Sequence, residues 1–421
     1  MGTEIHLEVG GASIDWAKNN RGNDYGMLFQ ESDLKRVKSD QIDYDYFIKN
    51  EEEPDQMEFA FVRSLKDIAP RLELLGFSLD SIRQSYINFV KENRDENSSA
   101  EEVMSFEELC LFLNEHPIQS LDNSYVEYND PHHNEKIFGR FANIDSFERF
   151  PGFTPGIGHA SSERSYFIDL FSFFHPLSIL RILAECKSNL DVDVIWQFGP
   201  LVEAGWANMD EFYSGARRDQ KFLIATEGSS DVHILKRAFN LIYPQIEDFF
   251  HFIDVSERHP FSGTGNLLKF AEGLIKIDVL NQIVFLFDND AEGVDTYNRL
   301  SSWAIPSNMR AMVLPSLDTF RSFPCRGPEG MTTSDINGRA AAIECYLDLD
   351  IVGRPTASVI WTNYKKELDV YHGALEYKDS YTQYFMKQTK ETVASGAYSV
   401  DRLRAVLDSV LLVCSEVAIV N

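Results

Sequence analysis

The stretch IVFLFDNDAEGVDTYNRL, residues 283–300, sets five apolar residues directly against Asp288, Asn289 and Asp290, with Glu292 and Gly293 close behind. A short continuous apolar run suits a strand buried on both faces, as in a parallel sheet. Asp288 and Asp290 then emerge at its carboxyl end, and alternate residues of an extended segment share a face. Two carboxylates on one face repel each other unless a cation sits between them, and hard oxygen donors select Mg²⁺ or Mn²⁺. Gly293 is expected to ease the turn into the helix that follows.

The surrounding sequence repeats the strand-then-helix pattern. KFLIAT (221–226), DFFHFIDV (248–255), QIVFLF (282–287) and MRAMVL (309–314) are short apolar, β-prone runs. Between them SDVHILKRAFNLI, GNLLKFAEGLIKI and AEGVDTYNRLSSW carry apolar residues at helical spacing. This alternation predicts a four-stranded parallel sheet flanked by helices, with strands near 221–226, 249–254, 283–287 and 309–314. Ligands of such sheets bind at the carboxyl ends of the strands. The first strand also ends in acids, Glu227 and Asp231 of TEGSSD. If the first and third strands are neighbours, Glu227 and Asp231 face Asp288 and Asp290. Each cluster alone has an ordinary explanation, Asp231 as an acid in the first turn of a helix and Asp288 as a turn cap. Two clusters, each ending a strand of one sheet, favour a shared pocket. Acids left unpaired at a sheet edge work against folding, so removing one is expected to cost little stability.

The remaining sequence bounds the class. The chain has 421 residues, 44% of them apolar and 25% charged, as in an ordinary globular protein of two or three domains. A formal net charge of −27 excludes a broad basic surface for nucleic acid, so a polyanion would need a local basic patch, a bound cation or a basic partner. Five scattered cysteines without a CxxC pair argue against a zinc ribbon or a disulfide framework. No secretion signal is visible in MGTEIHLEVGG and no apolar run is long enough to span a bilayer, so a soluble cytoplasmic protein with no membrane partner is expected.

Residues 1–215 read as an N-terminal α+β domain. They hold an acidic, solvated stretch (40–59), a polar linker (92–102) and a helix at 105–117 whose Ser105 and Glu108 have capping-box spacing. A Gly/Pro-rich loop (145–162) and buried helices at 163–190, broken at Pro176, follow. The parallel sheet occupies 216–350, and 351–421 reads as a mostly helical C-terminal region whose last apolar stripe packs rather than spans.

EGSSD followed by DNDAEG resembles the Toprim domain of topoisomerases, primases and overcoming-lysogenization-defect (OLD) nucleases. The fuller pattern ATEGSSDVHIL, GTGNLLKF, FLFDNDAEG and AAIECYL is most similar to the nuclease branch, and the two ends of the chain are similar to bacterial HEPN/Toprim proteins. The resemblance implies a Toprim-like fold and metal-dependent cleavage of phosphodiester bonds in DNA or RNA. Glu227 and Asp231 would serve one metal, Asp288 and Asp290 a second or shared one, and Glu344 would be an accessory acid. It also implies anti-phage defence beside a separate ATPase or sensor protein; homo-oligomerisation is compatible with it. Glu227 could be ligand or general base. The alternatives are a non-catalytic or partner-inhibited subunit, or a topoisomerase or primase; the latter commonly carry a cysteine zinc ribbon, which is missing.

Other motifs carry less. No histidine follows an arginine by four to six residues, so no HEPN ribonuclease site is assigned. No Gly-Lys pair exists for a P-loop, and the glycines of SGTGNLL shape a turn. His132 and His133 lie in an exposed loop and are given no chemistry. Arg326 and Arg339 lie between the third acid and Glu344 in sequence and are candidates for holding a phosphate.

Overall fold

A computed structural model describes residues 2–39, 42, 44, 56–92, 103–142, 149–151, 158, 160–253, 263–328, 330–351, 353–366 and 368–418. Most of the acidic stretch, the 92–102 linker and the Gly/Pro-rich loop lie outside the described residues, as does residue 254 at the expected end of the second strand. The chain divides into two compact units, Met1–Ala216 and Arg217–Asn421.

The first unit is built on an antiparallel sheet of β1 (Glu4–Val9), β2 (Ala12–Lys18), β3 (Leu34–Arg36), β4 (Phe59–Ser64) and β5 (Asp193–Gln197), in the order β2-β1-β5-β4-β3. Its helices are α1 (Leu65–Leu74), α2 (Leu79–Glu92), α3 (Phe106–Glu115), α4 (His133–Phe138), α5 (Glu163–Asp169), α6 (Pro176–Leu183) and α7 (Gly199–Glu203). The expected capping box forms: Ser105 Oγ accepts from Glu108 N at 3.2 Å, and Glu108 Oε2 accepts from Ser105 N at 2.7 Å. Pro176 ends one helical segment by starting the next, at a position where its missing N–H costs nothing. The core is aromatic, with Trp196 of β5 stacked on Phe61 of β4. The buried Arg71 guanidinium donates to the carbonyls of Met27 and Phe29.

In the second unit β6 (Phe222–Thr226), β7 (Phe250–Phe252), β8 (Gln282–Phe287) and β10 (Met309–Val313) form the four-stranded parallel sheet, in the order β10-β8-β6-β7. All six residues of β8 are buried, the signature of a strand covered on both faces. Ile283, Phe285 and Phe287 share a core with Leu267, Leu268 and Ala271 of α9 (Thr264–Lys276) and Leu300 of α10 (Ala291–Ser301). α8 (Ser229–Ile242) packs on β6, and α13 (Asp401–Ala418) packs on α8, β8 and β10. Among the described residues no helix is long and apolar enough to cross a membrane.

The helical expectation for 351–421 needs correction. β14 (Val359–Lys365) and β15 (Val370–Leu375) form an antiparallel hairpin, which joins β11 (Phe323–Gly327) and β12 (Gly330–Ser334) in a second sheet, order β12-β11-β14-β15. Helix resumes only with α11 (Lys378–Met386), α12 (Lys390–Ala394) and α13. The β-branched and aromatic residues of VIWTNYK and VYHGAL fit a pleated surface better than a helix. Two-residue strands β9 (Asn289–Asp290) and β13 (Ala340–Ala341) pair antiparallel and bring the segment before Glu344 alongside Asp290.

Candidate metal centre

The register of the parallel sheet assembles the acids. β6 and β8 are neighbours, with Thr226 opposite Leu286, so the residues that follow each strand meet at the carboxyl edge. There Asp288 N donates to Glu227 Oε1 at 3.0 Å. Asp288 Oδ1 in turn accepts from Ile343 N at 3.1 Å, which places the short turn Ile343–Tyr346, and with it Glu344, at the same edge. Glu344 is 4% exposed, not the surface acid its sequence context would give.

Asp231 stands in the first turn of α8, where its Oδ2 accepts from Gly228 N at 2.9 Å. It is thus a helix N-terminal acid and a member of the cluster at once. Asp290 is the N-cap of α10, its Oδ1 accepting from Glu292 N at 2.9 Å and Gly293 N at 2.8 Å. The cap is therefore Asp290 rather than Asp288, and an expectation of little cost on its removal does not hold for this residue. Asn289 points the other way, as strand alternation requires, with Oδ1 accepting from Gly338 N and Nδ2 donating to Ser316 Oγ.

Two glycines have steric roles. Gly293 has no left-handed backbone; a Cβ there would lie 2.2 Å from the Asp288 carbonyl oxygen and 3.0 Å from Glu227 Oε1. Its requirement is close approach, not the turn freedom expected from the sequence. Gly263, at φ +90°, enters α9 in a conformation that favours glycine, and its N–H donates to the Glu227 carbonyl at 2.8 Å.

One oxygen each of Glu227, Asp231, Asp288 and Asp290 accepts from backbone N–H groups, which orients each side chain. The electrostatic consequence is large. Burial, reinforced by the charges of Asp290, Asp231 and Glu292 against the opposing Asp288 N–H bond, pushes the Glu227 carboxyl up to about 8. Burial and the Glu344 charge push Asp231 up to about 7. Asp288 is raised well above the usual carboxylate range by burial and then by Asp231, Glu227, Asp290 and Glu344. Little cationic charge answers this. Among the described residues the counterparts within 4 Å of the five acids are His372 Nδ1, 3.8 Å from Asp290 Oδ2, and Lys378 Nζ, 3.9 Å from Glu344 Oε1.

Five hard-oxygen donors with uncompensated charge are the donor chemistry of a Mg²⁺ or Mn²⁺ site. Their spacing is not that of a finished cage: among the described residues no three His, Cys, Asp or Glu side chains stand as a ready-made metal-binding group. The residues thus suit a divalent cation in donor chemistry, without a preformed binding geometry among the described residues.

The other candidates separate. The exposed Arg339 has its backbone bridged to Asp290, and its guanidinium makes no hydrogen bond or ion pair with the described residues. Arg326 is engaged elsewhere, its guanidinium on Glu376 in the second sheet. His132 is exposed and His133 half-buried, bonded to Glu135 and to the Glu127 carbonyl respectively. His372 escaped the sequence reading. It lies mid-strand in VYHGAL, its Nδ1 is buried without a hydrogen-bond partner, and no local motif marks it.

No curated protein and no solved structure matches the chain significantly. The family evidence lies upstream of the acids. The model of the HEPN/Toprim N-terminal domain 1 family matches residues 1–220, just over half of the 421 residues, and the chain belongs to that family.

Proposed function

We propose that the second unit is a metal-dependent nuclease that hydrolyses phosphodiester bonds of DNA or RNA, with Mg²⁺ or Mn²⁺ as cofactor. The observation that carries the reading is the convergence of Glu227, Asp231, Asp288, Asp290 and Glu344 at the carboxyl edge of one parallel sheet, with burial and neighbouring charge opposing the ionisation of Glu227, Asp231 and Asp288. A cation relieves that repulsion, and a polyanionic substrate can approach such a chain only where the local charge is answered. Glu227, Asp288 and Asp290 would hold the catalytic cation, with Asp231 and Glu344 completing a second or shared position. When bound, such cations neutralise the scissile phosphate and lower the pKa of the attacking water. Asp288 N–H and Ile343 N–H orient the first carboxylates, and Asp290 couples its own orientation to the start of α10. Arg339, beside Asp290 and without a carboxylate partner, is the side chain best placed to meet a phosphate. A setting in anti-phage defence, with a separate ATPase or sensor as partner, rests on the resemblance to OLD nucleases alone.

The test is incubation of purified protein with plasmid, single-stranded DNA and tRNA in Mn²⁺, Mg²⁺ or EDTA. Cleavage is expected with the metals, absent in EDTA and absent in Asp288→Asn and Asp290→Asn, with His132→Ala retaining it. Cleavage that persists in EDTA or in both Asp variants defeats the proposal.

A further inference from the structure

Beside the turn that carries Glu344, the second unit has a cavity of about 620 Å³, and none of the five acids lines it. Small-molecule sites commonly fall in this size range. Its lining includes Arg354 and Arg402, Asp350 and Thr356, and the partly exposed apolar residues Pro324, Leu349 and Ile351. Arg354 makes no side-chain hydrogen bond or ion pair with any described residue. Arg402 lies over the Phe320 ring at 5.5 Å and donates to the Cys345 carbonyl at 3.3 Å, with further donors unused. Asp348, which also lines the cavity, is already committed, its two oxygens accepting from Asp350 N and Ser399 N. Two guanidinium groups with spare donors at one cavity match a phosphate. The apolar wall suits the flat face of a base, and Asp350 can accept from a ring amino group.

We infer that this cavity binds a free mononucleotide, with its phosphate on Arg354 and Arg402 and its base against Leu349 and Ile351. The cavity shares one turn with the acid cluster. Tyr346 lines the cavity, Glu344 belongs to the cluster, and Arg402 holds the Cys345 carbonyl between them. The same turn begins at Ile343, whose N–H holds Asp288. A phosphate that draws the Arg402 guanidinium away from Cys345 therefore bears on the position of Glu344. Occupancy of the cavity changes the cation affinity of the cluster, and the cation changes nucleotide affinity by the same factor; this coupling rests on the metal reading above.

The experiment is calorimetric titration of the full chain in EDTA with AMP, GMP, inorganic phosphate and a short single-stranded oligonucleotide. A mononucleotide should bind more tightly than phosphate, and Arg354→Ala should weaken it about tenfold or more, as expected for loss of a charge-assisted hydrogen bond. Arg354 is exposed, so this variant should fold as the wild type does, and an unchanged melting temperature verifies it. No mononucleotide binding at millimolar concentration, binding indifferent to Arg354→Ala, or binding of the oligonucleotide alone overturns the site. Mn²⁺ titration with and without nucleotide reads the coupling, and an unchanged Mn²⁺ affinity overturns it. Nucleotide binding in EDTA by a chain that never binds Mn²⁺ would uphold the cavity site and remove the metal reading.

Discussion

Glu227→Gln keeps the shape of the side chain and its capacity to accept the Asp288 N–H bond, but removes the charge. The ordinary glutamate value is 4.5, and burial in the folded chain raises Glu227 to about 8. The folded state therefore keeps a proton that the unfolded state has lost, so this group's contribution to stability is greatest below the unfolded value and is lost as pH rises toward 8. Linkage for one such group gives a loss of a few kcal/mol between about pH 5 and pH 8. Glu227→Gln cannot titrate there. Removing its charge also eases ionisation of Asp288, which Glu227 raises, and so adds to the variant's advantage at high pH. The variant is thus expected to be more stable than wild type at about pH 8 by roughly 2 kcal/mol or more, with the difference shrinking toward about pH 5. Urea unfolding followed by circular dichroism in EDTA at several pH values measures this. Mn²⁺ or Mg²⁺ should narrow the gap by stabilising the wild type alone. A gap that is constant with pH, or a variant less stable than wild type at high pH, would refute the argument that Glu227 is held against its own ionisation.

Three other outcomes follow from the geometry. Asp290→Ala should lose about 1 kcal/mol through the missing α10 cap, whereas Asp290→Asn should keep most of that stability while losing cation-dependent cleavage; paired urea curves and cleavage assays separate the effects. Gly293→Ala should cost about 2–3 kcal/mol, because its Cβ would stand 2.2 Å from a carbonyl oxygen that cannot swing aside; an unchanged melting temperature would contradict the packing described. Cation binding near neutral pH should release protons, since Glu227 near 8 and Asp231 near 7 must ionise to serve as ligands; calorimetry in buffers of differing ionisation enthalpy counts them, and no buffer dependence would argue against these carboxylates as ligands.

Much of the parallel sheet was legible because its signal is local. Each of its strands is a short apolar run bounded by polar residues, and β8 in particular is buried on both faces, so burial writes itself into consecutive positions. Glu227, Asp231, Asp288 and Asp290 were legible for the same reason, since a carboxylate that ends an apolar strand has few structural uses. The second sheet was not. β12 is nearly all exposed, β11 carries a proline and a glycine, and the β14–β15 pair alternates too weakly to oppose the helical pattern on either side of it. Glu344 was found through family resemblance, but its burial could not be read, because it depends on the pairing of β9 with β13 some fifty residues apart in sequence. His372 depends on the packing of an unforeseen hairpin and left no trace in its neighbours.

The hydrogen bonds that hold Glu227 and Asp288 join residues 61 and 55 positions apart. Contacts of that span form only after the intervening chain has closed into its loops, which places them late on the route to the native state. A ribosome-bound chain that has emerged only as far as Asp290 has both DxD carboxylates but lacks the Ile343 N–H that orients the first of them and lacks Glu344 altogether. The centre thus comes into being with the completed second unit. Under the proposed nuclease function, that ordering spares the messenger and the ribosome making the chain from a half-built enzyme.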